Sequence, residues 1–252
     1  MNHSFNDYTM KTLHLIVLFI CSSVGFAYAQ NSLLGVKGEG PVITQNRSTQ
    51  AFDAIDVSND ADVYITQGSS PSIRVEGQQN ILDVLKTEVE GKRLKIHYGR
   101  INVRKHEPVK VYVTTAMLTS VHISGSSSVK SESVWDLRHE DFESKISGSG
   151  NMQLKIREAD QVKSSISGSG NMTLGGNCNA LDVHISGSGN ANAFDLVAGN
   201  VDASITGSGN CRVNVQESLK VHTSGSGDVR YKGNPKSINK RSTGSGGVTK
   251  ES

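Results

Sequence analysis

The chain has 252 residues, with 26 basic and 24 acidic side chains, 35% apolar residues, 5% aromatics and 26 glycines. A net charge of +2 is too small to build the field that neutralising a phosphate backbone requires, which excludes nucleic acid as the main partner. So little apolar and aromatic material also excludes a thick core of Phe and Leu, and leaves a thin-cored all-β protein punctuated by glycine.

The first segment has the form of an export signal. Lys11 precedes an apolar run from Leu13 to Ile20 broken only by His14, and Ala27-Tyr28-Ala29 places small residues where a signal peptidase cuts. The run is shorter than the roughly 20 residues of a membrane span. Residues 1–29 are therefore expected to be a removable secretory signal, with the mature chain starting near Gln30, no membrane span, and a periplasmic, secreted or cell-surface location. Met10-Lys11 is an alternative start of that signal, and Ile20 is too bulky beside Cys21 for a lipid-attachment site.

Residues 42–120 form an irregular β-rich part. Phe52, Ala54 and Asp56, then Val63-Tyr64-Ile65, Ile73-Arg74-Val75, Leu94-Lys95-Ile96 and Val109 to Val113 read as short strands separated by Gly68, Gly77, Gly91 and Pro108. Ile81–Lys86 suggests one helical turn. This part is expected to run into the following segment and cap its first coil.

Residues 121–248 carry a repeat. Ile146-Ser147-Gly148-Ser149-Gly150-Asn151 recurs at 166–171, at 185–190 and, with one Thr, at 205–210, and weaker copies begin near Ile123, Thr223 and Ser242. The first glycines, Gly125, Gly148, Gly168, Gly187, Gly207, Gly225 and Gly244, are separated by 23, 20, 19, 20, 18 and 19 residues. Gly-Ser text ordinarily signals a flexible linker, but the flanks are patterned. Isoleucines 123, 146, 166, 185 and 205 precede the corner, and apolar residues alternate with polar ones after it, as at Met152-Gln153-Leu154 and Met172-Thr173-Leu174. Alternation in phase with a period near 20 means short strands stacked coil on coil. The expected fold is a right-handed parallel β-helix, a β-solenoid with coils of about 20 residues. Gly148, Gly168, Gly187 and Gly207 would turn its corners, and Asn151, Asn171, Asn190 and Asn210 would stack beside them. Each of the five isoleucines would contribute about 2 kcal/mol by burial.

These repeats, preceded by Phe52-Asp53-Ala54-Ile55 and Val63-Tyr64-Ile65-Thr66-Gln67-Gly68, resemble the head GIN-domain adhesin family over roughly residues 50–247. The resemblance implies a right-handed parallel β-helix in secreted or envelope proteins of Bacteroidota-type bacteria, and it brings no catalytic residues or cofactor. The last copy has Gly247 in place of Asn and is followed by five residues, so no translocating barrel is expected on this chain.

Candidate chemistry is sparse. Five residues before the corner glycine, Glu143, Lys163, Asp182, Asp202 and Lys220 should stack in one line. Asp182 and Asp202 on adjacent rungs, about 5 Å apart, could share a cation or a proton, although a solvated charge ladder is the plainer reading. His122, His184 and His222 share another row but are interrupted by Lys145, Ser165 and Ser204, which does not suit metal ligation. Trp135, the sole tryptophan, lies in the widest step and is the best candidate for a sugar platform, ahead of Tyr64, Tyr98 and Tyr112. Lys86, Lys92, Arg93, Lys95, Arg100, Arg104, Lys105 and Lys110 make a basic stretch that suits a polar face or an anionic ligand. Cys178 and Cys211, 33 residues apart, fit small core positions better than a bridge. The leading expectation is a non-enzymatic binding or adhesion module of the cell envelope, with a glycan or an envelope protein as partner. A β-helix polysaccharide lyase or hydrolase and an envelope structural or assembly module are the alternatives.

Overall fold

The computed structural model describes residues 35–137 and 139–251. The export segment lies outside the described residues. The chain is nearly all β, with 68% strand and 2% helix, and winds into a β-solenoid of about six turns whose coils are about 20 residues long.

The irregular part comprises β1 (Val36–Lys37), β2 (Val42–Arg47), β3 (Ala54–Ser58), β4 (Asp62–Gln67), β5 (Ser72–Gln78), α1 (Gln79–Leu82), β6 (Lys86–Glu90), β7 (Arg93–His97), β8 (Val103–Arg104) and β9 (Lys110–Thr115). The coils follow as β10 (Ser120–Gly125), β11 (Ser128–Ser131), β12 (Trp135–Asp136), β13 (Phe142–Gly148), β14 (Asn151–Gly168), β15 (Asn171–Gly187), β16 (Asn190–Gly207) and β17 (Asn210–Gly225). Three shorter segments finish the rod: β18 (Val229–Lys232), β19 (Ser237–Gly244) and β20 (Val248–Lys250).

Stacking is parallel and in register. Ile146 pairs with Ile166, Ile166 with Ile185 and Ile185 with Ile205, and the corner glycines pair in the same way. The five isoleucines are at most 1% exposed. Thr223 continues the column with its hydroxyl 2.9 Å from Ser242 Oγ. Where an inner position is polar, the next rung satisfies it: the Ser144 and Ser164 hydroxyls lie 2.8 Å apart in the core.

The hexapeptide is explained by what its two glycines touch. The first glycine of each copy has φ between +121° and +125°, a conformation that L side chains avoid. The second is excluded from carrying a side chain by its neighbours. A Cβ on Gly170 would lie 2.6 Å from both the Gly150 carbonyl oxygen and the Ile146 methyl, and one on Gly189 would lie 2.5 Å from the Ile166 methyl. Each isoleucine thus packs under the second glycine of the following coil. Corner N–H groups of one coil donate to the carbonyl of the last, as Ser188 and Gly189 both do to Gly168 at 2.9 Å. Outside the corner, the asparagine side chains form a ladder: Asn171 donates to Asn151 at 3.1 Å, Asn190 to Asn171 at 3.0 Å and Asn210 to Asn190 at 3.0 Å. Asp228 ends it, accepting from the Gly247 N–H at 2.8 Å.

The irregular part holds two further parallel rungs that no glycine corner marks. β3 and β4 stack under β10 and β11, and β7 and β9 stack under β3 and β4. Spatial order therefore reverses chain order here. The antiparallel strands β5, β2 and β6 then close this end, with Ile81 and Leu82 of α1 buried against it. Cys178 and Cys211 are free, buried thiols two coils apart, as their small-core reading expects. Burial pushes both up to about 12.

Two outcomes check this account. Gly170→Ala should destabilise the rod by about 1–3 kcal/mol through overpacking. Gly175→Ala, whose Cβ would meet only Asp195 at 3.5 Å, should be close to neutral in thermal melts. Ile166→Asp, at an inner position, should cost about 4 kcal/mol or more, and Thr173→Asp on the outer face less than about 1 kcal/mol. The thiols generate a third. Below their unfolded pKa near 9 they are protonated in both states and contribute no slope. Between pH 9 and 12 only the unfolded thiols ionise, so stability falls as pH rises. Urea melts of a Cys178→Ala/Cys211→Ala variant should show a shallower alkaline loss than the parent.

Candidate functional site

Strand pairing turns positions in sequence into rows on the surface. On the face leading into the glycine corner, nine strands stack among the described residues, in the order β7, β3, β10, β13, β14, β15, β16, β17 and β19. At about 4.8 Å per rung, the face is roughly 38 Å long.

Its outer side is a groove. A hollow of about 650 Å³ is lined by one row containing Glu143, Lys163, Asp182, Asp202, Lys220 and Asn239. A second row, two residues on, adds Ser165, His184, Ser204, His222 and Arg241. A hollow of about 200 Å³ at Asp56, His122 and Lys145 and one of about 430 Å³ at Glu88, Lys95 and His97 continue along the same face.

The predicted charges do stack in one line, and several of them are partnered between rungs. Lys220 Nζ lies 2.6 Å from Asp202 Oδ2, and Gln161 Nε2 donates to Asp182 Oδ2 at 2.6 Å. Asp182 and Asp202 are paired positions on adjacent strands. Among the described residues no group of three or more His, Cys, Asp or Glu side chains is placed to hold a metal ion. His184 and His222 are separated by Ser204, whereas His122 sits between two carboxylates, its Nδ1 3.4 Å from Asp56 and its Nε2 3.5 Å from Glu143. Arg93 also holds Asp56, at 2.7 Å.

The aromatic candidates are elsewhere. Trp135 requires a correction: it is 1% exposed, because β12 pairs with β14 and folds the widest step inward. It fills the core where a sugar platform was expected. Tyr98 is also buried, at 8%. Tyr64 and Tyr112 come together on adjacent rungs with centroids 5.1 Å apart, and Arg74 covers the other face of Tyr112 at 3.8 Å. Both faces of Tyr112 and one face of Tyr64 are thus taken up by neighbours. Four of the eight cations of the basic stretch are in ion pairs, Lys86 with Glu88, Lys92 with Asp53, Arg93 with Asp56 and Lys95 with Glu90. The continuity of the groove into β3 and β7 was invisible in sequence, since those strands enter the stack out of chain order.

A polar groove that carries charges of both signs and no Trp, Tyr or Phe in its lining offers directed hydrogen bonds and ion pairs. The family model described as "Putative auto-transporter adhesin, head GIN domain" matches residues 51–235. The chain belongs to this family. Its fold is similar to the crystal structure of a putative adhesin from Bacteroides fragilis NCTC 9343, with 25% identity, a TM-score of 0.78, and coverage of 86% of this chain and 100% of that one. Two proteins from Parabacteroides distasonis ATCC 8503, each 26% identical over 86% of this chain and 99% of theirs, are also similar. One is a putative lipid binding protein with a TM-score of 0.71, and the other a putative adhesin with a TM-score of 0.64. Among curated proteins, no relative matches the chain. Among the described residues no helix is long and apolar enough to cross a membrane.

The groove side chains are exposed and should be dispensable for folding. Asp202→Ala, which removes an ion pair whose members are 42% and 65% exposed, should change stability by less than about 1 kcal/mol in denaturant melts. A larger loss would give the row a structural role.

Proposed function

We propose that the protein is an exported, non-enzymatic binding module of the cell envelope that holds an extended glycan along this groove. The observation that carries the proposal is the 650 Å³ hollow, in which carboxylate, hydroxyl, imidazole and ammonium groups recur rung after rung. The rung spacing of about 4.8 Å is of the order of one sugar unit, so a polymer lying along the axis meets a polar or charged side chain at each rung. The adhesin names of the family and of the Bacteroides fragilis relative support a binding role.

A glycan array probed with the purified protein should give signals for linear polysaccharides. Asp182→Ala/Asp202→Ala should weaken them at least ten-fold without moving the melting temperature appreciably. Shortening of the bound polymer would establish the β-helix enzyme alternative. Capture of envelope proteins by crosslinking, with no glycan signal, would establish the structural or assembly alternative.

A further inference from the structure

The two ends of the rod differ in charge and in closure. Residues 210–251 carry eight cations against Glu217, Asp228 and Glu251, a net +5, which leaves the rest of the chain with 18 basic and 21 acidic residues, a net −3. The first end is closed by antiparallel strands and α1. At the other end, all eight residues of β19 are exposed. β19 pairs with β17 and β20 with β18, so the outer edges of both strands present unpaired N–H and C=O groups among the described residues.

Register shows how this end avoids being an open hydrophobic core. Positions occupied by Val221, Thr223 and Tyr231 one rung earlier hold Lys240, Ser242 and Lys250 in the last rung. Lys240 Nζ reaches over the Tyr231 ring at 5.8 Å and donates to the Val248 carbonyl at 3.3 Å. Arg230 and Arg241 have no ion-pair partner among the described residues. Ile238 stands among these cations at 40% exposure.

We infer that this end of the rod docks on an anionic phospholipid surface. β18, β19 and β20 carry Arg230, Lys232, Lys240, Arg241 and Lys250 with no carboxylate among them, Arg241 also lining the groove, and cations drawn from three strands at one end suit a partner whose charge is spread in two dimensions. Edge N–H groups can donate to phosphate oxygens, and Ile238 is placed to enter the interfacial region. Lysines alone would suffice to guard an edge against strand pairing. The unpaired Arg230 and Arg241 exceed that need. Docked this way, the rod stands end-on and its lateral groove runs away from the surface.

The test is cosedimentation of the purified protein with vesicles. Vesicles containing phosphatidylglycerol should bind it at least ten-fold more tightly than pure phosphatidylcholine, and binding should fall steadily as salt is raised. Arg230→Glu/Lys250→Glu, both outside the groove, should lower vesicle binding at least ten-fold while glycan-array signals persist. If charge reversal disturbs folding, Arg230→Gln/Lys250→Gln should show a smaller loss in the same direction. Asp182→Ala/Asp202→Ala should leave vesicle binding intact, which keeps this inference separate from the glycan reading. Absence of vesicle binding, equal binding to phosphatidylcholine, or binding to soluble heparin without binding to vesicles would overturn it.

Discussion

Everything in this molecule depends on how closely successive glycine corners approach. The second glycine of each copy sits where a methyl group would collide with the carbonyl of the coil before, at 2.6 Å for Gly170, 2.2 Å for Gly209 and 2.1 Å for Gly227. That approach lets the isoleucine of one coil slide beneath the corner of the next and aligns the corner N–H groups on the preceding carbonyls. Core column, corner hydrogen bonds and asparagine ladder are three results of one steric constraint.

Surface chemistry follows from the same constraint. Once corners are locked, a one-residue slip would turn every inner side chain outward, so residues about 20 apart are fixed as neighbours. Asp202 meets Lys220, and Asn190 meets Asn171 and Asn210. The groove is thus written into the repeat, although no two of its lining rungs are close in sequence. Its side chains are free to vary, since they lie outside the core and carry little of the stability. The fold consequently supplies a rigid ruler on which a binding surface can change without disturbing the coil.

Periodicity made the coils from Ile123 onward legible, because isoleucine, glycine and asparagine recur at fixed offsets and few other arrangements satisfy all three. The charge line through Asp182 and Asp202 was legible for the same reason. Trp135 was not: composition marks tryptophan as a ligand platform or a core residue equally well, and only the β12–β14 pairing shows which. Nor were the rungs formed by β3–β4 and β7–β9, which lack the glycine corner and stack in reverse chain order. Ser144 and Ser164 look like outer residues by polarity, yet their mutual hydrogen bond lets them occupy the core. The reversed rungs and the serine pair depend on neighbours distant in sequence, which a local pattern cannot encode.

In-register stacking can be tested by pairs of introduced cysteines on the outer face. Gln153 pairs with Thr173, and Thr173 with Asn192, so Gln153→Cys/Thr173→Cys lies one rung apart, within the Cα separation of about 4.4–6.8 Å that a disulfide spans. Gln153→Cys/Asn192→Cys lies two rungs apart, beyond it. Under mild oxidation the first pair should crosslink within one chain and the second should not, while the buried native thiols stay unreacted. Equal crosslinking of both pairs, or of neither, would contradict the wound, stacked arrangement from which the groove and both ends of the rod derive.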